Sequence, residues 1–414
     1  MTTSSDHQTL DDSSKVPASN RSEFYSFLKN LGSFTGDLSA LTCPSFLLSG
    51  DSILEYCTHW CDQPSLFTAI SEALDSEQRM VGVCRWFIST LYGSYYLRTA
   101  ESSNEKKPFN PILGEQLLGH WDDPETHTRT TLVVEQVSHH PPVSGVFLEN
   151  QQAGIFLNAH TGQKSKFTGT TIKINQTGFA TLHFRDTDEV YTLNFPDLYI
   201  RSLITGKPFM EIMGNTWIRS NKGYVAVFKY IGKPWFGGEY HRFKGHVYHL
   251  LDRPADNKVV DPLTLESSKS KALELFAIEG RWIANSTITD LRTKKTSVLF
   301  DATAHRPIPI QVAPLDQQGP FESRRLWREV SQAINQGDFG TASTKKSEIE
   351  TRQREERKAR KDRGDEWQPR DFTFVPDDHL PSQTRAHLDS ATQAESGRWV
   401  HKSVTDKLAR PSSK

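Results

Sequence analysis

Two adjacent histidines, His139 and His140, sit in the run Glu135-Gln136-Val137-Ser138-His139-His140-Pro141-Pro142. A zinc site wants histidines one helical turn apart with a third ligand. Neighbours on an extended segment point to opposite faces, so one of the pair could bind a metal but not both from the same side. Ser138 beside His139 suggests a hydrolase. However, no G-x-S-x-G surrounds it, and adjacent strand residues cannot make the nucleophile–base hydrogen bond. Anion binding by imidazole N–H groups, as at a phosphomonoester, fits the pattern better, with a structural role in backbone hydrogen bonding as the alternative. Thr131 to Val134 form a strand-like segment, and Pro141-Pro142 supply no N–H, so the pair is held rigidly at a strand end.

Two further groups of residues could meet an anion. In Glu105-Lys106-Lys107-Pro108-Phe109-Asn110-Pro111-Ile112-Leu113-Gly114-Glu115, two prolines stiffen a loop that follows two lysines, and Gly114 permits a tight turn before Glu115. Lys107 as a point charge and Asn110 as a donor suit phosphate oxygens; in isolation the same run reads as a surface loop with solvated lysines. Lys346, Glu350 and Arg354 fall at i, i+4 and i+8 and share one helix face. That face is either a salt-bridge ladder, at roughly 0.2–0.5 kcal/mol per pair, or a surface closing over the phosphate loop. Cys57 and Cys61 are one helical turn apart, but no second Cys/His pair accompanies them. They read as buried reduced thiols, with no metal and no catalytic group expected.

The elements that must position these residues follow from periodicity. Phe24, Phe27, Leu28, Leu31 and Phe34 mark a short amphipathic helix, too short to stand alone in water. Residues 43–100 have helical spacing from Leu66 to Leu74 and from Val81 to Tyr96. From about 130 to 300 the pattern has period two, broken every eight to twelve residues by turn signals. Thr170–Asn175 and Ala180–Arg185 count there as separate strands, and the series predicts a sandwich or a large barrel. After 320 helical spacing returns, with Leu326, Trp327, Val330 and Ile334 on one face and a densely charged run from Lys345 to Arg363. The expected division is a disordered 1–20, a lid at 21–42, a helical layer at 43–100, a β core at 101–320, a helical region at 321–376 and a polar tail at 377–414. The 414-residue chain has formal net charge −1, which gives no global field for nucleic acid or an anionic bilayer. Residues 1–20 lack the apolar stretch of a signal peptide, and no run of eighteen apolar residues spans a membrane. A soluble cytoplasmic monomer without cofactors is expected.

Together these segments resemble the lipid-binding domain of the oxysterol-binding-protein family. The run at 135–142 matches that family's fingerprint, and 106–115 matches its second motif. Phe34–Leu38, Trp86–Thr90, Glu322–Trp327, Gly337–Phe339 and Glu366–Phe372 also look like it, so the likeness spans roughly 22–375. The resemblance is to short fungal-type members made of this domain alone. It implies a mostly β protein with some α: a large near-complete antiparallel β-barrel enclosing a hydrophobic tunnel, an N-terminal lid helix and surrounding helical layers. It also implies transfer of a sterol, of ergosterol or cholesterol type, in exchange for phosphatidylinositol 4-phosphate. Phosphatidylserine in place of sterol, or a lipid sensor without bulk transport, are the alternatives. Peripheral contact with Golgi or endoplasmic reticulum membranes goes with this reading. The family pattern assigns headgroup contacts to Lys107, Asn110, Glu115, His139, His140, Lys346, Glu350 and Arg354. Trp60, Ser94 and Tyr95 fall where its tunnel floor would be, with Ser94 at a position that is often Gln. Phe24, Phe27, Leu28 and Leu31 would cover the tunnel, with Leu38 and Leu41 on the hinge side.

Overall fold

A computed structural model describes residues 21–34, 38, 41, 43–97, 106–139, 141–203, 208–233, 237–251, 265, 272–376 and 397–405. Its helices are α1 (Arg21–Ser33), α2 (Pro64–Thr68), α3 (Ser76–Tyr95), α4 (Ser323–Leu326), α5 (Arg328–Asn335) and α6 (Phe339–Arg363). A parallel pair joins β1 (Leu48–Ser52) to β2 (Lys107–Phe109). The large sheet comprises β3 (Gln116–Asp122), β4 (Arg129–His139), β5 (Pro142–Asn150), β6 (Ile155–Phe167), β7 (Ile172–Phe184), β8 (Val190–Asn194), β9 (Asp197–Arg201) and β10 (Phe209–Met213). It continues through β11 (Asn215–Ser220), β12 (Tyr224–Ile231), β13 (Arg242–Leu250), β14 (Ala272–Arg281), β15 (Asn285–Asp290) and β16 (Thr296–Asp301). A third sheet pairs β17 (Phe372–Pro376) with β18 (Gly397–His401).

The large sheet is an antiparallel meander in which β8 pairs with β11 and the β9–β10 hairpin branches off along β7. The branch exists because β7 is long: Phe179–His183 pairs with β8, while Ile172–Ile174 pairs with β9. The two segments expected as separate strands, 170–175 and 180–185, are thus one strand. Gly178 bends it at φ +88, where a Cβ would lie 2.1 Å from the His160 carbonyl oxygen, so only glycine fits.

Among the described residues, β3 and β16 are edges and do not pair with each other. The chain leaving β16 covers the β3 edge instead. His120 and Gln311 exchange backbone hydrogen bonds of 2.9 and 2.8 Å, Trp121 Nε1 donates to the Ile308 carbonyl at 2.9 Å, and Gln116 N donates to the Phe321 carbonyl at 2.9 Å. The barrel is near-complete, closed by a strap and not by a ladder.

Helix α3 does not lie outside this sheet but packs into its concave side. Every residue from Trp86 to Leu91 is buried, so this turn and a half of the helix is enclosed on all faces. Phe87 meets Phe228 of β12 at 5.7 Å between ring centroids, and the core joins α3 to inward residues of the strands. The N-terminal end is pinned: Asp75 caps it through Gln78 N at 2.8 Å, and Arg79 pairs with buried Glu189 at 2.5 Å. Cys57, Cys61 and Cys84 are buried free thiols. Burial, aided by Glu55, pushes the Cys57 thiol up to about 12.

Candidate functional site

The phosphate-type motifs converge at one end of β3 and β4. Lys107 and Phe109 belong to β2, and Phe109 packs on Trp327 with ring centroids 4.7 Å apart, in a cluster with Ile112, Leu48 and Val330. That apolar anchor holds the loop and leaves Lys107 half-buried, with its Nζ donating to Asn110 Oδ1 at 2.8 Å, and Asn110 exposed. Gly114 turns at φ +80 against the Trp367 ring. From there Gly114 N donates to the Gln136 carbonyl, and Gln136 N to the Glu115 carbonyl, each at 2.9 Å. The loop is therefore stitched to β4 three residues before His139.

At that end β4 carries a bulge: Gln136 faces Ser144, whereas Ser138 faces Val143. The extra residue, Val137, is buried against the outer cluster with Val143, Phe372 and Val400. The Gln136 side chain fixes the bulge, accepting from Ser144 Oγ at 2.6 Å and donating to the Ser138 carbonyl at 2.8 Å. His139 is half-buried at the last position of β4, opposite Pro142. His140 lies outside the described residues.

Helix α6 supplies the second cation. Lys346 and Glu350 form an i, i+4 ion pair. Burial lowers the Lys107 ammonium pKa; Lys346 adds to the lowering, while Cys43 and Glu350 oppose it. Two lysines and a carboxylate thus act on one another beside this loop. Arg354, one turn further on, is exposed and donates to Thr351 Oγ1 at 2.8 Å.

Glu115, to which the resemblance assigns a headgroup contact, is buried. It has no exposed area; Oε1 accepts from Ser323 Oγ at 2.8 Å, and Oε2 from Trp327 Nε1 and Ile112 N at 3.0 Å each. Burial raises its pKa against the pull of these donors. Glu135, which the sequence reading passed over as a site residue, does the same for the next segment. Also fully buried, it accepts from Arg370 N and Asp371 N at 2.8 Å each. The β17–β18 pair continues from there, so 397–401, expected as part of a polar tail, is a strand packed on the barrel's outer face.

Trp60, Ser94 and Tyr95 meet deeper in the molecule, around a cavity of about 20 Å³ also lined by Phe87, Leu91 and Phe195. Tyr95 accepts from Gln176 Nε2 at 2.9 Å, and Gln176 also donates to the Pro196 carbonyl at 2.8 Å. Gln176 was missed in the sequence; its signal is parity, a polar residue two positions after Ile174 on the same strand face. On α1, Leu31 is fully buried and Phe24, Phe27 and Leu28 are half-buried, whereas Tyr25 points outward. Leu38 is buried and Leu41 half-buried. Among the described residues, no three His, Cys, Asp or Glu side chains gather as a metal site would require, and no helix is long and apolar enough to cross a membrane.

Comparison with known proteins finds likeness both in sequence and in fold. The oxysterol-binding protein family model matches residues 23–332. Protein KES1 of Mycosarcoma maydis is 36% identical over 388 residues, covering 92% of this chain and 96% of that protein. Protein kes1 of Schizosaccharomyces pombe is 34% identical over 380 residues, covering 91% and 93%. Among solved structures, the Osh1 ORD domain in complex with cholesterol superposes with a TM-score of 0.68 at 21% identity, covering 93% of this chain and 88% of that one. The Osh3 ORD of Saccharomyces cerevisiae in complex with PI(4)P gives 0.62 at 24% identity, covering 85% and 87%. At these identities the structural likeness is one of fold.

Proposed function

Since this chain belongs to the oxysterol-binding-protein family, a lipid-binding family and not one of enzymes, we propose that it carries a sterol and phosphatidylinositol 4-phosphate one at a time and exchanges them between membranes. The observation that carries this reading is the meeting of Lys107, Asn110, Lys346 and Glu350 around the loop that is stitched to the His139 strand. A phosphomonoester brought there neutralises two lysines that otherwise oppose each other, and Glu350 orients them. His139 and His140 complete the clamp as N–H donors. Arg354 closes it from the next turn of α6. Glu115 acts through the loop it pins, not by touching the headgroup.

The apolar part of either lipid takes the barrel interior, where Tyr95 and Gln176 offer a hydroxyl and an amide to a sterol hydroxyl, with Ser94 as a further anchor. The cavity of about 20 Å³ between Trp60, Ser94 and Tyr95 is far below the roughly 300–1,000 Å³ of a site for a ligand of that size, so this reading includes a movement of the lid on loading. Exposing Leu31 alone costs about 1.5–3 kcal/mol, which insertion of the α1 face into a membrane interface offsets.

A liposome assay tests the exchange. Lys107→Ala, or His139→Ala with His140→Ala, should abolish the acceleration of sterol transfer that phosphatidylinositol 4-phosphate on acceptor membranes gives the wild type. Unchanged sterol movement in these variants would sink the exchange mechanism, and no transfer by the wild type would leave a sensor. Mass spectrometry of lipids that copurify with the protein decides between sterol and phosphatidylserine as the second cargo.

A further inference from the structure

Helix α6 carries charge that the headgroup clamp does not use. Only Ala342 of its 25 residues is buried. In the stretch 352–363 there are seven basic and three acidic side chains. They are not mixed evenly around the helix. Arg354, Arg357, Lys358 and Lys361 fall at i, i+3, i+4 and i+7, forming one stripe, and all four are exposed. At ~100° per residue, Lys346 and Glu350 lie on the same arc, so the stripe continues the face that meets Lys107. The acids Glu355, Glu356 and Asp362 all fall outside that arc. The side toward the protein is different again: Gln353, Glu356 and Arg360 are half-buried, with Arg360 over the Trp367 ring at 5.1 Å.

Among the described residues, no carboxylate comes within 4.0 Å of Arg357, Lys358 or Lys361. Like charges at i, i+4, such as Arg354 with Lys358 and Arg357 with Lys361, repel along the helix. The Asp338 N-cap at one end, and the left-handed Gly364 with basic residues in the last turn at the other, keep the helix formed. Beyond Glu350 no acid interrupts this face, whereas an internally neutralised helix would interleave acids along it. This face instead complements an extended anionic surface that lies against it.

We propose that the stripe Arg357–Lys358–Lys361, which continues from Arg354 of the clamp, is a docking surface for an anionic lipid bilayer. It sets α6 down on the membrane so that the loop at Lys107 faces the headgroups. The inference rests on the lipid-carrier reading above, but it concerns the bulk anionic surface and not the lipid taken into the site. A chain of net charge −1 has no global attraction to such a surface, so the stripe supplies a local one.

The test uses the full chain and vesicles that contain no phosphoinositide, of phosphatidylcholine alone or mixed with phosphatidylserine. The wild type should bind the mixed vesicles more tightly, with affinity falling as salt rises. The triple variant Arg357→Ala, Lys358→Ala, Lys361→Ala should lose on the order of 100-fold on the mixed vesicles and nothing on the neutral ones, since each basic side chain near an anionic surface contributes roughly fivefold. Its affinity for a short-chain soluble phosphatidylinositol 4-phosphate should equal that of the wild type. Equal binding of the wild type to both vesicles, or full retention on mixed vesicles by the triple variant, would overturn the proposal. So would an equal loss in Arg352→Ala with Arg363→Ala, off the stripe on the same helix. Lys107→Ala separates the two readings: unchanged affinity for the soluble lipid would refute the headgroup site while leaving vesicle docking to stand or fall by itself.

Discussion

Replacing Glu115 by alanine should destabilise the protein by about 2–6 kcal/mol, whereas glutamine at the same position should cost about 1 kcal/mol. The difference follows from the partners. Oε2 accepts from Trp327 Nε1 and Ile112 N, which can only donate, and Oε1 accepts from Ser323 Oγ, a hydroxyl able to donate or accept. Alanine leaves two buried donors without an acceptor, at about 1–3 kcal/mol each. Glutamine can keep its carbonyl oxygen toward Trp327 and Ile112 and turn its amide toward Ser323, whose hydroxyl then accepts. Against a typical whole-domain stability of about 5–15 kcal/mol, the alanine variant should show a much lower urea midpoint with an unchanged slope, followed by tryptophan fluorescence. Because the loop that Glu115 holds also presents Lys107 and Asn110, the alanine variant should bind a phosphatidylinositol 4-phosphate headgroup more weakly at temperatures where it remains folded. Equal destabilisation by alanine and glutamine would refute the argument from donor count. A stable alanine variant with weakened headgroup binding would instead restore direct contact by the carboxylate.

Two further outcomes follow from buried polar groups. Burial, with help from Arg281, lowers the His241 imidazole pKa to about 4, in a setting of Tyr96, Phe209, Tyr240 and Trp282. The ring stays neutral in the fold while the unfolded chain takes up a proton below about 6.5. Stability present above that pH is therefore lost as pH falls toward 4, by roughly 3 kcal/mol at 1.36 kcal/mol per unit. His241→Asn tolerates the local φ of 65° and should remove this dependence; parallel pH–stability curves for variant and wild type, from urea denaturation, would contradict it. Gln176→Leu removes the donor to Tyr95 and to the Pro196 carbonyl, and should weaken binding of a fluorescent sterol about fivefold while headgroup binding is unchanged.

The strands were legible because alternation is a local property, and so were the helix faces at Leu31 and at Trp327, Val330 and Ile334. Harder to read was anything decided by what a segment meets. The gap between 175 and 180 has the composition of a turn, yet Gly178 bends one continuous strand there, because the partner strand β6 runs straight past it from Ile155 to Phe167. The helical spacing from Val81 to Tyr96 revealed a helix but not that the sheet wraps it. The burial of Trp86 through Leu91 on all faces follows from the barrel's curvature. Strand β18 could not be inferred from its own polar surroundings, since its partner β17 precedes it by twenty intervening residues.

The same distinction separates the residues within the two motifs. His139, Lys107 and Asn110 are open to either reading from their chemistry alone and take a headgroup role only through the family resemblance, and each retains exposure. Glu115 and Glu135 have the same polar character but no exposure, and their partners lie 212 and 235 residues away in the chain, at Trp327 and Arg370. A carboxylate has several lone pairs and no hydrogen to place, so it can gather donors from segments that approach from different directions. Glu115 gathers α4, α5 and the 107–112 loop; Glu135 gathers the segment leading to β17. Gln116 reinforces the second group, donating to Asp371 Oδ2 at 2.5 Å and accepting from Arg370 Nη1 at 2.6 Å. A rim of mutually repelling lysines cannot hold three remote segments in register by itself. The buried glutamates do so.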